Sequence, residues 1–582
     1  MKQSIPAALF ISLLTAASFA HAQTDTRPSP FGISASAGSA KNYAEWFPVI
    51  SAAGVQSVRL FPEWRGLQPT PDKWTWDRTD AMLKSAADNH LQITGLLFGS
   101  APWNKSKSHA FPMDNLGAWS TYTTTLVDRY KNQIHHWEVW NEGNAAFNDA
   151  HHTTADYAAL VATAYDATKK SDPTAQIGMS VASFDAAYLN QTILAQAKAG
   201  KPNHFDYLCI HPYELLGNLK EPDGEIPYLW MSRLLRDALK TDAPEKADAP
   251  IWITEVGLPV GKNATERQAA VAAIKAYVMA LAQGITTTMW FEARDPTGEE
   301  QGFGLLNRAG TPRQSYNSFK TMTATLGPSP RYLGWLALGK DAKGYGFVFE
   351  GATAPVLIAW MPAGATDNTQ TFTADVQMID PLNNASSTLK SGQFLNLTDT
   401  PLFILNPPTD LLAQAKTNAP KPFPWGGDHS TAKTVTLQFG ADPANTGITQ
   451  LNRAATPAHQ FSDGTPGIRI DHNQNVAVYL HPSFANLKTR DYYIRLTLRR
   501  LGPGNVGMNL AYEIADNKGQ NGPMRNSGGW FSLPENDGWQ TKTWHVTDAC
   551  FAKMWAYDLN FRPEKSVPFV LGKLEISTQP FP

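Results

Sequence analysis

Between about residues 31 and 325, short apolar runs rich in β-branched residues alternate with longer stretches whose apolar positions recur at helical spacing. The runs Gly32–Ala37, Val55–Phe61, Gln92–Phe98, His135–Trp140, Gln176–Val181, Phe205–His211, Pro250–Glu255 and Thr286–Phe291 are predicted strands. Thr79–Asn89, Leu116–Lys131, Tyr157–Ser171 and Glu266–Gln283 are among the predicted helices between them. Strands alternating with helices in this number predict an α/β fold, a (β/α)8 TIM barrel. The main rival, an open doubly wound sheet, usually has a Gly-rich turn after its first strand, and Ala37-Gly38-Ser39-Ala40 is a poor version of one.

The pattern changes after Gly327-Pro328-Ser329-Pro330. Short alternating runs such as Gly346–Phe349, Pro355–Trp360 and Leu402–Leu405 predict a small β-sandwich over residues 327–412. Pro407-Pro408 and the Pro/Lys/Ala-rich stretch that follows suggest a linker, placed at 413–428. Residues 429–582 are strand-like again, as in Tyr492–Leu498 and Thr541–Val546, and predict a jelly-roll-like β-sandwich. That last domain has two readings, carbohydrate binding or structural packing on the barrel.

Composition narrows the picture. The chain has 582 residues, 42% apolar and 17% charged, enough for several large cores. A net charge of -2 gives no basis for nucleic-acid binding or for an anionic membrane partner. Lys2, the apolar run Ile5–Phe19 and Ala20-His21-Ala22 read as a signal peptide over residues 1–22, which leaves the barrel at 23–326 and a periplasmic or secreted protein without a membrane span once cleaved. Cys209 and Cys550 are the two cysteines and lie in different predicted domains, so no disulfide is expected.

The candidate chemistry sits at predicted strand ends, where a barrel carries its active site. Trp137-Glu138-Val139-Trp140-Asn141-Glu142 closes strand four, and Ile251-Trp252-Ile253-Thr254-Glu255 closes strand seven. Two carboxylates facing one pocket are the minimum for cleaving a glycosidic bond. Glu142, among apolar neighbours, suits a proton donor, and Glu255 suits a nucleophile if Arg59, His211 and Tyr213 face the same mouth. Asn141 is expected to hold a sugar hydroxyl. Trp290 is expected to form a platform under the reacting sugar, and Trp103 lies just past strand three. Trp64, Trp119 and Trp230 are further candidates for sugar stacking or for core. By alternation, Glu138 shares a side with Glu142 and is expected to be a buried structural partner. His135-His136 and His151-His152 show no recognisable ligand spacing, so neither a metal nor a cofactor is expected.

The chain resembles the clan A glycoside hydrolases, retaining (β/α)8 enzymes with catalytic Glu residues after strands four and seven. Trp140-Asn141-Glu142 is similar to their acid/base motif and Ile253-Thr254-Glu255-Val256-Gly257 to their nucleophile strand. Val58-Arg59-Leu60-Phe61, the run from Trp64 through Gln68-Pro69 to Trp76-Asp77, and Phe303-Gly304-Leu305-Leu306-Asn307 resemble further clan segments. Family 39 and its exopolysaccharide-cleaving relatives look most alike, although Gly143 stands where many members carry Pro. The resemblance implies a retaining glycosidase acting on a β-linked polysaccharide or oligosaccharide. The alternatives are a transglycosylase on the same site, a non-catalytic carbohydrate-binding protein on an enzyme scaffold, and a metal-dependent barrel hydrolase.

Overall fold

The structure, a computed structural model, describes residues 30–582 apart from 61, 262–263, 297–300, 366–367, 442–445, 452–455, 457, 462, 472–473, 504–505, 516–523, 527–530, 537 and 564–567. The expected signal peptide and Phe61 lie outside the described residues.

The eight strands are β1 (Phe31–Ser34), β2 (Ser57–Leu60), β3 (Gln92–Leu97), β4 (His136–Val139), β5 (Gln176–Ser180), β6 (Tyr207–Ile210), β7 (Ile251–Val256) and β8 (Thr287–Phe291). All neighbours are parallel, and β8 returns to β1 through Ile33 and Trp290, closing a TIM barrel. Local chemistry sets the helix starts. Thr153 with Asp156, and Thr265 with Gln268, form reciprocal capping boxes on Thr154–Ser171 and Glu266–Ala282, satisfying orphan N–H groups of the first turn.

The barrel floor is filled by Tyr207, Cys209, Trp252 and Met289, packed on one another from β6, β7 and β8. Small residues make that room. A Cβ added to Gly178 on β5 would lie 2.4 Å from the Tyr207 ring. The floor leaves the polar side chains of the next layer facing the opposite end, at the C-termini of the strands.

The middle unit is a six-stranded antiparallel sheet with a two-stranded ribbon. In it, β9 (Arg331–Leu338), β10 (Gly344–Glu350) and β11 (Pro355–Trp360) pair in sequence. The stretch expected to be a linker departs from that reading. Thr409–Asn418 is helical and Ala415 within it is buried against β9, where a Cβ on Gly334 would meet the Ala415 carbonyl at 1.8 Å. Trp425 is buried as well, 4.4 Å from the Tyr345 ring. The segment is packed structure because Leu411, Leu412 and Ala415 give it an apolar face. Two further six-stranded antiparallel sheets form the C-terminal unit around their own apolar core. No helix among the described residues is long and apolar enough to cross a membrane. Cys209 and Cys550 are both buried and free.

Candidate active site

Arg59 organises the barrel mouth. It is fully buried on β2 and its guanidinium is shared among three strands. Nε and Nη2 donate to the two Glu138 oxygens at 2.7 and 2.8 Å, the fork geometry that suits a carboxylate. Nη2 also donates to Asn141 Oδ1 at 2.8 Å, and Nη1 donates to Glu255 Oε1 at 2.5 Å and to Ser34 Oγ at 3.2 Å. Burial works against the guanidinium charge, but Glu138 and Glu255 outweigh it and raise the Arg59 pKa. Burial likewise opposes the charge on Glu138, yet Arg59 holds that carboxyl below its ordinary range. Glu138 is thus the buried structural partner expected of it.

Glu255 also accepts the Tyr213 hydroxyl on Oε2 at 3.0 Å. Arg59 and Tyr213 therefore hold one oxygen each. Across the mouth, Glu142 Oε1 lies 2.9 Å from His211 Nδ1, and His211 Nε2 lies 3.1 Å from Thr254 Oγ1. Thr254 Oγ1 donates to Glu138 at 3.4 Å, so its lone pair receives a His211 Nε2–H and the histidine orientation is fixed from below. Burial disfavours the imidazolium, but the Glu255 charge and the Glu142 contact raise the His211 pKa. One ligand-type atom from each of Glu142, His211 and Glu255 lies within 4.8 Å of the others. Glu142 keeps some exposure, 19% of its side chain against 9% for Glu255.

Backbone irregularities deliver both carboxylates. Between β7 and β8, three residue steps from Ile253 to Val256 oppose two from Thr288 to Trp290. That extra residue is a β-bulge, and it turns both Thr254 and Glu255 inward where strict alternation would send one out. At the end of β4, Trp140 and Glu142 both have positive φ, 66° and 48°, a rare conformation for bulky residues. The twist brings Asn141 and Glu142 to the same mouth. Gly143 follows because Phe111 covers it: a Cβ there would lie 2.7 Å from the Phe111 ring.

Arg59, Asn141, Glu142, His211, Tyr213 and Glu255 are thus brought together. Two expected residues are not. Met289 belongs to the barrel floor, so alternation turns Trp290 outward, where it is buried and its Nε1 donates to the Phe303 carbonyl. The aromatic facing the mouth from β8 is Phe291, edge-on to Tyr213 and Phe303. Trp103 packs edge-on to Trp64 and donates to the Gln68 carbonyl, with no contact to the carboxylates among the described residues. Trp64 and Trp119 are fully buried in the core with Tyr122, and Trp230 is buried against His481.

Two further carboxyls border the site. Glu214 follows Tyr213, and burial, with the Glu142 charge adding to it, pushes its pKa up to about 7. Its Oε1 accepts from Ser183 Oγ at 3.0 Å and its Oε2 is buried without a partner among the described residues. Its place directly after Tyr213 at a strand end was the available signal in the sequence. Glu292 follows Phe291, and burial pushes it also to about 7. Among the described residues, Glu142, His211 and Glu255 are the grouping with donor atoms close enough for a metal, and they are the site itself.

Parts of the chain are similar to known proteins. Residues 62–180 match the family description "Glycosyl hydrolase family 10". A segment of 91 residues is 32% identical to endo-1,4-beta-xylanase C of Paenibacillus barcinonensis, covering 14% of this chain and 8% of that protein. The chain therefore spans less than a tenth of the length of that relative. Among solved structures, a family 39 glycoside hydrolase from the gut symbiont Bacteroides cellulosilyticus WH2 superposes with a TM-score of 0.52 at 18% identity, over 65% of this chain and 81% of that one. A GH39 beta-xylosidase from Caulobacter crescentus gives a TM-score of 0.46 at 15% identity, over 66% and 98%. Residues 62–180 are thus similar to a glycosyl hydrolase family, and the family 39 structure shares the barrel fold.

Proposed function

We propose that this protein cleaves β-linked polysaccharide or oligosaccharide with retention of configuration, by double displacement. The observation that carries this reading is the pair Glu142 and Glu255, with oxygens within 4.8 Å of one another. Retaining enzymes hold their carboxyls about 5–5.5 Å apart, and inverting enzymes leave a wider gap for water.

Glu255 attacks the anomeric carbon while Glu142 gives its proton to the departing glycosidic oxygen. The bond to that oxygen breaks and a glycosyl ester to Glu255 forms. Glu142, now a base, takes a proton from water, which attacks the same carbon and frees Glu255. Arg59 and Tyr213 align the nucleophile, and His211 at 2.9 Å steadies Glu142 in both of its charge states. Asn141, its Oδ1 engaged by Arg59, turns its amide hydrogens to a sugar hydroxyl. The Lys2/Ile5–Phe19 segment supports a periplasmic or secreted setting, and exopolysaccharide is the substrate class this reading favours.

Treatment with a panel of 2-fluoroglycosides followed by peptide mapping tests the nucleophile. Label is expected on the peptide carrying Glu255, and label elsewhere refutes the assignment. Glu142→Ala is expected to lose activity on substrates with poor leaving groups and to regain turnover with azide. Screening bacterial exopolysaccharides and plant β-glycans against wild type and Glu255→Ala identifies the substrate.

A further inference from the structure

The carboxyls at the barrel mouth are not equally compensated. Glu138 and Glu255 share Arg59, and Glu142 faces His211. Glu214 has a neutral partner instead, the Ser183 hydroxyl at 3.0 Å on Oε1, and its Oε2 is buried with no partner among the described residues. Glu292 is in a similar position with Ser36, but the charges acting on it are those of Asp295 and Glu255. Burying a carboxylate away from a cation favours the neutral acid, and Glu214 keeps its proton up to about 7 for that reason, with the Glu142 charge adding to the effect.

A short chain of contacts ties Glu214 to the acid/base side of the mouth. It stands in the first turn of the helix Tyr213–Gly217, next to the tyrosine that holds Glu255. Its side chain reaches the loop after β5, where Ser183 has a φ of +57°, uncommon for a residue with a side chain. The Ser183 carbonyl accepts the His211 N–H at 3.0 Å. His211 Nδ1 in turn lies 2.9 Å from Glu142 Oε1. Anchoring Ser183 therefore anchors the backbone of the residue that faces Glu142.

That last contact contains one proton. The His211 Nε2–H is used on Thr254, so Nδ1 and the carboxylate oxygen are both acceptors until a proton lies between them. The proton belongs to the pair, and its loss leaves a negative charge there. Glu214 senses both members: the Glu142 charge favours its neutral form and the His211 charge its ionised form. Linkage is mutual, so an ionised Glu214 favours the proton on the pair. The charged groups around Glu214 are Glu142 after β4, His211 after β6 and, beyond Tyr213, Glu255 on β7. Lys220, the next cation along the chain, is exposed.

We infer that Glu214 is a positioning residue for the proton shared by Glu142 and His211: it anchors Ser183 behind His211, and its negative charge, once formed, keeps that proton in place as pH rises. Delivery of this proton to a leaving oxygen rests on the proposed glycosidase reading. The anchoring and the charge coupling do not.

NMR titration of the full chain carrying isotope-labelled histidine tests the inference without turnover. The His211 ring signal is assigned by its absence from His211→Asn. Wild type is expected to show two inflections, one as Glu214 ionises at about pH 7 and a second as the pair loses its proton. Glu214→Gln keeps an acceptor for Ser183 and cannot ionise. In it the first inflection is expected to vanish and the second to move toward lower pH by about half a unit or more. Ser183→Ala keeps the carboxyl but removes its hydrogen bond, so the first inflection is expected to move to higher pH. Superimposable curves for wild type and Glu214→Gln overturn the inference. If Glu214→Gln does not fold, wild type and Ser183→Ala decide: a single inflection in wild type overturns the inference, and two, the first of them shifted in Ser183→Ala, support it. On any glycan that the substrate screen identifies, the basic limb of kcat/KM is expected to move to lower pH in Glu214→Gln by the same amount as the second inflection. The expected NMR result from a protein that cleaves no glycan would sink the glycosidase reading and leave this one standing.

Discussion

Glu292→Gln should make the protein more stable, by a margin that grows as pH rises from about 4.5 through about 7. Glu292 is fully buried at the end of β8, with Oε2 accepting the N–H and hydroxyl of Ser36 at 3.1 and 2.6 Å and Oε1 unpartnered among the described residues. Burial raises its pKa from an ordinary 4.5 to about 7. Between those values the unfolded chain has released the proton and the folded chain still holds it. The unfolded state therefore binds fewer protons, and folding stability falls as pH rises through this window. At ~1.36 kcal/mol per pH unit, the full gap amounts to about 3 kcal/mol lost by pH 8. Gln keeps an acceptor for Ser36 and never ionises, so it escapes the loss. Urea unfolding of wild type and variant, followed by tryptophan fluorescence at pH 4.5 and pH 8, measures the difference. The variant should nearly match wild type at the lower pH and exceed it by about 3 kcal/mol at the higher. A difference that stays the same at both pH values would show that Glu292 is already ionised, and the argument would fail.

Tyr213→Phe removes one hydrogen bond to Glu255, the proposed nucleophile, and at about 1.5–3 kcal/mol for a bond to a charged group kcat/KM should drop by roughly 10–100-fold. An unchanged value in steady-state assays would show that this bond is not kept in the transition state. Arg59→Met leaves Glu138 buried without its cation and should destabilise the barrel by about 3–5 kcal/mol, read from the urea midpoint. Gly334→Ala drives a methyl into the Ala415 carbonyl, so the Thr409–Asn418 helix must shift off β9. A lowered Tm and earlier proteolysis within 409–428 are expected.

The barrel was legible because its strands are compact apolar runs, several of them ending in or beside a chemically distinctive residue such as Arg59, Asn141 or His211. The pairing of Glu142 with Glu255 was legible for the same reason. Their orientation was not. Period-two alternation cannot foresee the bulge at Thr254–Glu255 or the positive φ values at Trp140 and Glu142, which depend on tertiary packing. The exchange of Trp290 for Phe291 follows from the same limit, since one step along β8 decides which aromatic faces the mouth. Around Ala415, the Pro and Lys content concealed a short apolar face that only packing against β9 makes visible.

Barrel closure has a kinetic consequence. Glu292 and Ser36 are joined across 256 residues of sequence, and Arg59 reaches Glu255 across 196. Contacts so distant along the chain form late, after the local helices and the neighbouring strand pairs. During refolding, recovery of activity should therefore trail recovery of helical signal. A chain with its helices formed but the seam between β1 and β8 still open would lack the aligned Glu255 that the proposed mechanism needs. The proposed activity would thus report the last contacts made, and measure complete folding more sharply than any average over the secondary structure.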